Sequence, residues 1–68
     1  MLLVSQDKTK VYNLDRITSL SVEEMSYEYY LVADNKIIGK FENKTIALAV
    51  LKEILSEYEA DAKIYRLP

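Results

Sequence analysis

One segment, residues 43–60, constrains the fold more than any other part of the chain. It reads NKTIALAVLKEILSEYEA, and on a helical wheel its apolar residues gather on one side, opposite most of its charged residues. Asn43 is a favourable N-cap, because its side-chain oxygen accepts a hydrogen bond from a free N–H group of the first turn. The pattern predicts one amphipathic helix. Its predicted core face consists of Ala47, Leu48, Val50, Leu51, Ile54, Leu55 and Tyr58.

Segments typical of β-strands account for most of the remaining chain. Residues 27–33, YEYYLVA, are rich in the aromatic and aliphatic residues that favour extended structure. Asp34 and Asn35 follow as a tight turn, because both tolerate left-handed backbone conformations. The predicted strands are 1–5, 10–12, 17–22, 27–33, 36–41 and 63–67. The order βββββαβ predicts a single α+β domain over residues 1–68: a mostly antiparallel meander of about five strands, one packed helix and one C-terminal strand.

The composition limits how so small a domain is stabilised. The 68 residues include neither cysteine nor histidine, so the chain has no disulfide and we expect no structural zinc or other metal site. Small domains bury a limited core and depend on a disulfide, a metal, unusually good packing or oligomerisation. With no cofactor or metal expected, good packing and a homo-oligomer are the two remaining routes.

Apolar residues on both faces of several strands indicate a second covered surface. Alternation along residues 27–33 places Tyr30 and Val32 on the face opposite Leu31. One helix covers only one face of a sheet, so either the sheet curls into a partial barrel or another copy of the chain packs against it. The predicted interaction patch on the uncovered face is Tyr30, Val32 and Ile38, with Lys40 at its rim.

The residue types needed for common catalysis are scarce. The absence of histidine and cysteine removes the most common general base and the strongest nucleophile. The serines have no predicted activating partner, and the carboxylates of Glu23, Glu24 and Glu28 are expected to form a solvated rim. We therefore predict that the protein is not an enzyme.

The charged residues are mixed in sign. The net charge is −2, which gives no general attraction to nucleic acid or to anionic membranes. Some basic residues nevertheless lie near aromatic ones such as Tyr12, and such pairs hold phosphates and stack bases in single-stranded nucleic-acid sites. The alternative is ordinary solubilising charge. The residues predicted to contact phosphate are Lys8, Lys10, Arg16 and Lys36.

Several short motifs resemble those of small uncharacterised proteins of Firmicutes prophages and mobile elements. The pattern begins with Ser5-Gln6-Asp7 after an apolar strand and continues with Asn13-Leu14-Asp15 and the apolar positions from Ile17 to Val22. A Tyr-rich strand ending in Val-Ala-Asp, an Ile-Gly-Lys-Phe strand and the Ala-Leu-x-Val-Leu helix extend it over most of the chain. The resemblance implies a phage or mobile-element origin and assigns no catalytic or binding residue.

The leading hypothesis is a small, non-enzymatic binding protein of the counter-defence type. Small phage proteins of the kind it resembles often block a host component or hold a nucleotide signal, and both roles imply the cytoplasm of the bacterial host. We expect a homo-oligomer that acts stoichiometrically on a host protein or a small nucleotide. The alternatives are a nucleic-acid-binding accessory protein and a structural phage component. The opening residues are too short for a signal sequence, and no apolar run approaches a membrane span.

Overall fold

The computed structural model describes residues 1–68 and has the predicted α+β order of elements. The strands are β1 (Leu2–Val4), β2 (Val11–Asn13), β3 (Leu20–Met25), β4 (Glu28–Ala33), β5 (Lys36–Phe41) and β6 (Ile64–Arg66). Helix α1 (Lys44–Glu59) separates β5 from β6, and a short 3₁₀ turn, Leu14–Arg16, follows β2. The strand-rich meander, the single helix and the C-terminal strand are thus confirmed. No helix of the chain has the length and hydropathy needed to span a bilayer.

The strands form two three-stranded sheets. In the first sheet β1 is central, with β2 antiparallel on one side and β6 parallel on the other. In the second sheet β3, β4 and β5 form an antiparallel meander. The parallel pairing of β1 with β6 brings the two ends of the chain into one sheet, because β1 is the first strand and β6 the last.

Both sheets and the helix contribute to one hydrophobic core. Leu3 comes from the first sheet, Leu31 from the second and Ile54 from α1, and all three are fully buried. Burying a side chain of this size contributes about 1.5–3 kcal/mol. The complete cluster is Leu3, Leu31, Ala33, Ile38, Phe41, Ala47, Val50, Ile54, Tyr65 and Leu67. The two sheets and the helix therefore share one core.

Helix α1 begins where the sequence predicts, but its core face is narrower. The Ile46 N–H donates to Asn43 Oδ1 at 2.9 Å, an N-cap bond of a kind worth about 1 kcal/mol. Ala47, Val50 and Ile54 are the buried helix residues. Leu48, Leu55 and Tyr58 are exposed, so their assignment to the core face was wrong. Ala47, Val50 and Ile54 make the contact between the helix and the rest of the core. The other apolar residues of the predicted face lie to one side of that contact.

The β3–β4 hairpin turn differs from the prediction. Strand β3 continues to Met25, and the turn is formed by Ser26 and Tyr27 with φ values of 52° and 65°. Two left-handed residues give the twist that a two-residue hairpin turn requires. Tyr27 is therefore in the turn, 92% exposed, rather than in the strand.

A β-bulge in β5 changes which residues reach the core. Leu31 pairs with Gly39 and Val32 pairs with Ile37, so Ile38 is the extra residue of β5. Ile38 is buried within the core cluster. Its predicted position on the uncovered face was wrong, because that prediction assumed strict alternation along an uninterrupted strand.

Candidate functional site

Two residues of the predicted interaction patch remain accessible, and both contact Glu28. The Tyr30 hydroxyl donates to Glu28 Oε2 at 2.6 Å, and Lys40 Nζ lies 3.4 Å from Glu28 Oε1. The hydrogen bond from Tyr30, followed by the charge of Lys40, lowers the pKa of Glu28. Val32 is buried although it lies outside the core cluster, and Ile38 is in the core. The accessible part of the predicted patch is therefore Tyr30 and Lys40, which form a polar group with Glu28. Its role as an interface stays a prediction.

The structure brings two of the four predicted phosphate-contacting residues to one cleft. Arg16 and Lys36, which are far apart in sequence, both line a depression of about 270 Å³ beside β2 and the start of β5. We call this the Arg16–Lys36 cleft. It is lined by Val11, Tyr12, Asn13, Arg16, Ile17, Ala33, Asp34 and Lys36. Two cations, one carboxylate and an aromatic ring therefore share a single concave surface.

Hydrogen bonds position the two walls of this cleft. On one wall, Asn13 Oδ1 accepts a hydrogen bond from the Asp15 N–H at 3.0 Å, which starts the 3₁₀ turn that ends at Arg16. On the other wall, Asp34 Oδ1 accepts hydrogen bonds from the N–H groups of Thr18 at 3.0 Å and Ser19 at 2.9 Å. Because these bonds favour the carboxylate, the pKa of Asp34 is lowered. Asp34 thus fastens the β4–β5 turn to the segment after Arg16.

The other two predicted cations lie elsewhere. Lys10 lines a separate, smaller cleft of about 160 Å³ together with residues 5–7 and 37–40. Lys8 Nζ donates to the backbone carbonyl of Leu67, so its charge is engaged within the fold. The four predicted residues therefore do not form one continuous basic track.

Gln6 has a structural role that the sequence pattern did not reveal. Its backbone N–H donates to the Ile38 carbonyl at 2.9 Å, and its side chain continues the pairing. The Lys40 N–H donates to Gln6 Oε1 at 2.7 Å, and Gln6 Nε2 donates to the Lys40 carbonyl at 3.0 Å. Gln6 therefore acts as a short extra strand along the free edge of β5 and connects the two sheets.

The neighbouring residues Ser5 and Asp7 form the β1–β2 turn. Asp7 Oδ1 accepts hydrogen bonds from Ser5 Oγ at 2.7 Å, the Thr9 N–H at 3.0 Å and Thr9 Oγ1 at 2.7 Å. The bonds from Thr9, followed by the bond from Ser5, lower the pKa of Asp7 from 3.8 to about 2. The Ser5-Gln6-Asp7 motif therefore stabilises the fold.

We expect the free energy of unfolding to decrease as the pH falls from about 4 to about 2, partly through Asp7. Its folded pKa, about 2, is below its usual value of 3.8. Asp7 therefore contributes its full stabilisation when the pH is above its usual pKa of 3.8. That contribution is lost as the pH falls to its folded pKa of about 2. Asp7→Asn keeps an acceptor oxygen but removes the charge, so it should be less stable at neutral pH and lose less stability on acidification. Urea unfolding across this range measures both effects. An Asp7 carboxyl that titrates near 4 by NMR would contradict the expectation.

Exposed aliphatic residues cover the outer face of the first sheet. Leu2 pairs with Ile64, and Val4 pairs with Val11, which is 61% exposed. Alternation along β1 places Leu2 and Val4 on the face opposite the buried Leu3. This surface was missed because the predicted patch was assigned to the meander rather than to the first hairpin.

Comparisons with other proteins give no family for this chain: no family model, curated protein or solved structure matches it. Within the chain, no group of three or more carboxylates is arranged to hold a metal ion.

Proposed function

We propose that the protein is a small binding protein that holds a phosphate-bearing aromatic ligand, such as a mononucleotide, in the Arg16–Lys36 cleft. It acts by occupancy rather than by turnover. The observation that carries the proposal is the convergence of Arg16, Lys36 and Tyr12 on one concave surface. A volume of about 270 Å³ is close to the lower limit of about 300 Å³ for small-molecule sites, which suits a mononucleotide better than a larger ligand.

The chemistry of the cleft suits the two parts of such a ligand. Arg16 and Lys36 are both exposed and neither is engaged in a salt bridge. A guanidinium binds phosphate through two parallel hydrogen bonds, and an ammonium adds a point charge. Tyr12 is half-buried against the core and also lines the cleft, so in the proposal the base stacks on the part of its ring that remains accessible. The Asp34 carboxylate accepts hydrogen bonds from the N–H groups of Thr18 and Ser19 and also attracts Lys36, so a bound phosphate would share that cation with Asp34.

The resemblance to prophage proteins supports a biological setting for this site. In the proposal the protein is made in the cytoplasm of a bacterial host and sequesters a nucleotide signal of that host. The alternative to a nucleotide ligand is a host protein, on which the protein would also act stoichiometrically. An extended nucleic-acid interface is less favoured, because Lys8 and Lys10 lie away from the Arg16–Lys36 cleft.

The test is a ¹⁵N NMR titration of the intact protein with AMP, GMP and inorganic phosphate, each added separately. We expect saturable shifts confined to residues 11–17 and 33–36, with either nucleotide causing larger shifts at Tyr12 than phosphate does. Arg16→Glu should weaken nucleotide binding at least tenfold, because it replaces the bidentate donor by a repelling charge.

Lys52→Glu is the matched control, since it makes the same change of charge at an exposed residue of α1. It should leave the affinity within about twofold of the wild type, because Lys52 does not line the cleft and salt screens charges that are not in contact with the ligand. Equal losses of nucleotide affinity in the two variants would show that binding depends only on the net charge of the protein, and would refute the site. The absence of any shift at millimolar nucleotide would also refute it.

A further inference from the structure

Helix α1 carries a second apolar stripe beside its core face. Leu48, Leu51, Leu55 and Tyr58 follow one another at spacings of three, four and three residues. This is the a/d spacing with which two helices pack against each other. Leu51 is half-buried against the core, whereas Leu55 is 49% exposed and Tyr58 is 44% exposed. Packing within the chain therefore partly buries Leu51 and leaves Leu55 and Tyr58 accessible to a partner.

The far end of the stripe is held in place by the fold. The Tyr58 hydroxyl donates to Asp15 Oδ1 at 2.7 Å, which connects the C-terminal half of α1 to the 3₁₀ turn. Its polar atom is thus satisfied within the chain while part of the ring stays exposed. From Leu48 to Tyr58 the stripe runs about 15 Å along the helix, roughly three turns.

Charges beside the stripe differ in sign between its two ends. Lys44 lies one turn before Leu48, at the N-terminal end of the stripe. Glu59 and Asp61 lie at its C-terminal end, where Lys63 offsets only one of the two. An antiparallel copy of the same helix would place the basic end of each stripe against the acidic end of the other. A parallel copy would place like charges together, and it would also align the two helix dipoles unfavourably.

We propose that a second copy of this chain covers the stripe, with the two α1 helices antiparallel about a two-fold axis that crosses the stripe midway between Leu51 and Leu55. Leu51 then packs against the partner's Leu55, and Leu48 against the partner's Tyr58. Such a self-complementary contact is the usual form of a symmetric dimer. The dimer goes beyond the proposed ligand site, and neither proposal depends on the other.

The first experiment measures the mass of the intact protein by sedimentation over a hundredfold range of concentration. We expect a concentration-dependent species of twice the 7.9 kDa chain mass. Leu55→Glu should raise the dissociation constant at least a hundredfold. Ile46→Glu is the matched control, because Ile46 is 44% exposed on the same helix but roughly 160° around it from the stripe. It should leave the dissociation constant within about threefold of the wild type.

A monomer at every concentration would overturn the proposal and leave the stripe to a different partner. A dimer that survives Leu55→Glu would overturn it too, and would direct attention to the outer face of the first sheet. Far-UV circular dichroism of each variant shows whether the fold is kept. A variant that does not fold is replaced by Leu55→Gln, which has the size of glutamate without its charge.

The second experiment tests the orientation and uses the absence of native cysteine. Thr45→Cys protein and Glu59→Cys protein are mixed and oxidised. Antiparallel packing brings residue 45 of one copy near residue 59 of the other, so mass spectrometry should find mainly the mixed disulfide. In that arrangement two copies of residue 45 are about 24 Å apart along the helix axis and cannot be joined. Predominant 45–45 and 59–59 disulfides would refute the antiparallel arrangement.

Discussion

Replacing Ile54 by alanine should remove about 3 kcal/mol from the free energy of unfolding, the loss typical of a fully buried aliphatic side chain. Ile54 is 0% exposed and lies in the cluster formed by α1 and both sheets. A domain of 68 residues has a total stability of about 3–10 kcal/mol. The substitution therefore unfolds a substantial fraction of a protein at the lower end of this range. Urea unfolding followed by circular dichroism measures the loss.

Ile46→Ala provides the matched control, because it makes the same chemical change in the same helix at a residue that is 44% exposed. It should cost less than about 1 kcal/mol, since little buried surface is lost and alanine favours the helix. Similar losses at the two positions would show that the core does not centre on Ile54. The comparison also separates burial from helix propensity, which both substitutions change equally.

Local signals explain why the helix and the order of elements could be predicted. Asn43 caps the helix and Ala60 follows its last residue, as expected from a capping residue and a helical apolar period within one segment. The five strands before the helix and the one after it follow from short runs of strand-forming residues separated by polar turns. These signals need no information about distant parts of the chain.

The errors arose where one pattern permits two structures. The apolar arc of the helix was wide enough to contain both the core residues and the exposed stripe, and only the packing of Ala47, Val50 and Ile54 separates them. Ile37 and Ile38 are both apolar, so the sequence could not indicate which is the extra residue of the bulge. Strict alternation then assigned Ile38 to the wrong face.

The candidate site depends on non-local contacts, which limits what the sequence could indicate. Arg16 and Lys36 were recognised as basic residues near aromatic ones, but their convergence depends on the hydrogen bonds from Thr18 and Ser19 to Asp34. Gln6 was missed as a structural residue because its amide pairs with the backbone of β5. Hydrogen bonds of this kind leave no periodic pattern in the sequence.

Replacing Gly39 by valine should destabilise the fold by about 2–3 kcal/mol through overpacking. A Cβ atom at Gly39 would lie 3.0 Å from Leu67 Cδ2 and 3.1 Å from Phe41 Cε2, distances shorter than an ordinary van der Waals contact. Leu67 is fully buried and Phe41 nearly so, so neither moves freely. The preference of valine for strands offsets at most about 1 kcal/mol. We therefore expect the melting temperature to fall by about 10–20 °C.

Lys40→Val is the control, because it places the same side chain at the next position of β5, where the native lysine is exposed. It removes the ion pair with Glu28, an exposed contact of a kind that contributes little to stability, and adds no clash. Its melting temperature should stay within about 5 °C of the wild type, because 1 kcal/mol shifts the midpoint of so small a domain by about 4–8 °C. Gly39→Ala should fall between the two, since it adds the Cβ atom but no branches. An equal or higher melting temperature for Gly39→Val would show that Leu67 and Phe41 can yield, and that β5 does not need a glycine where it crosses the core.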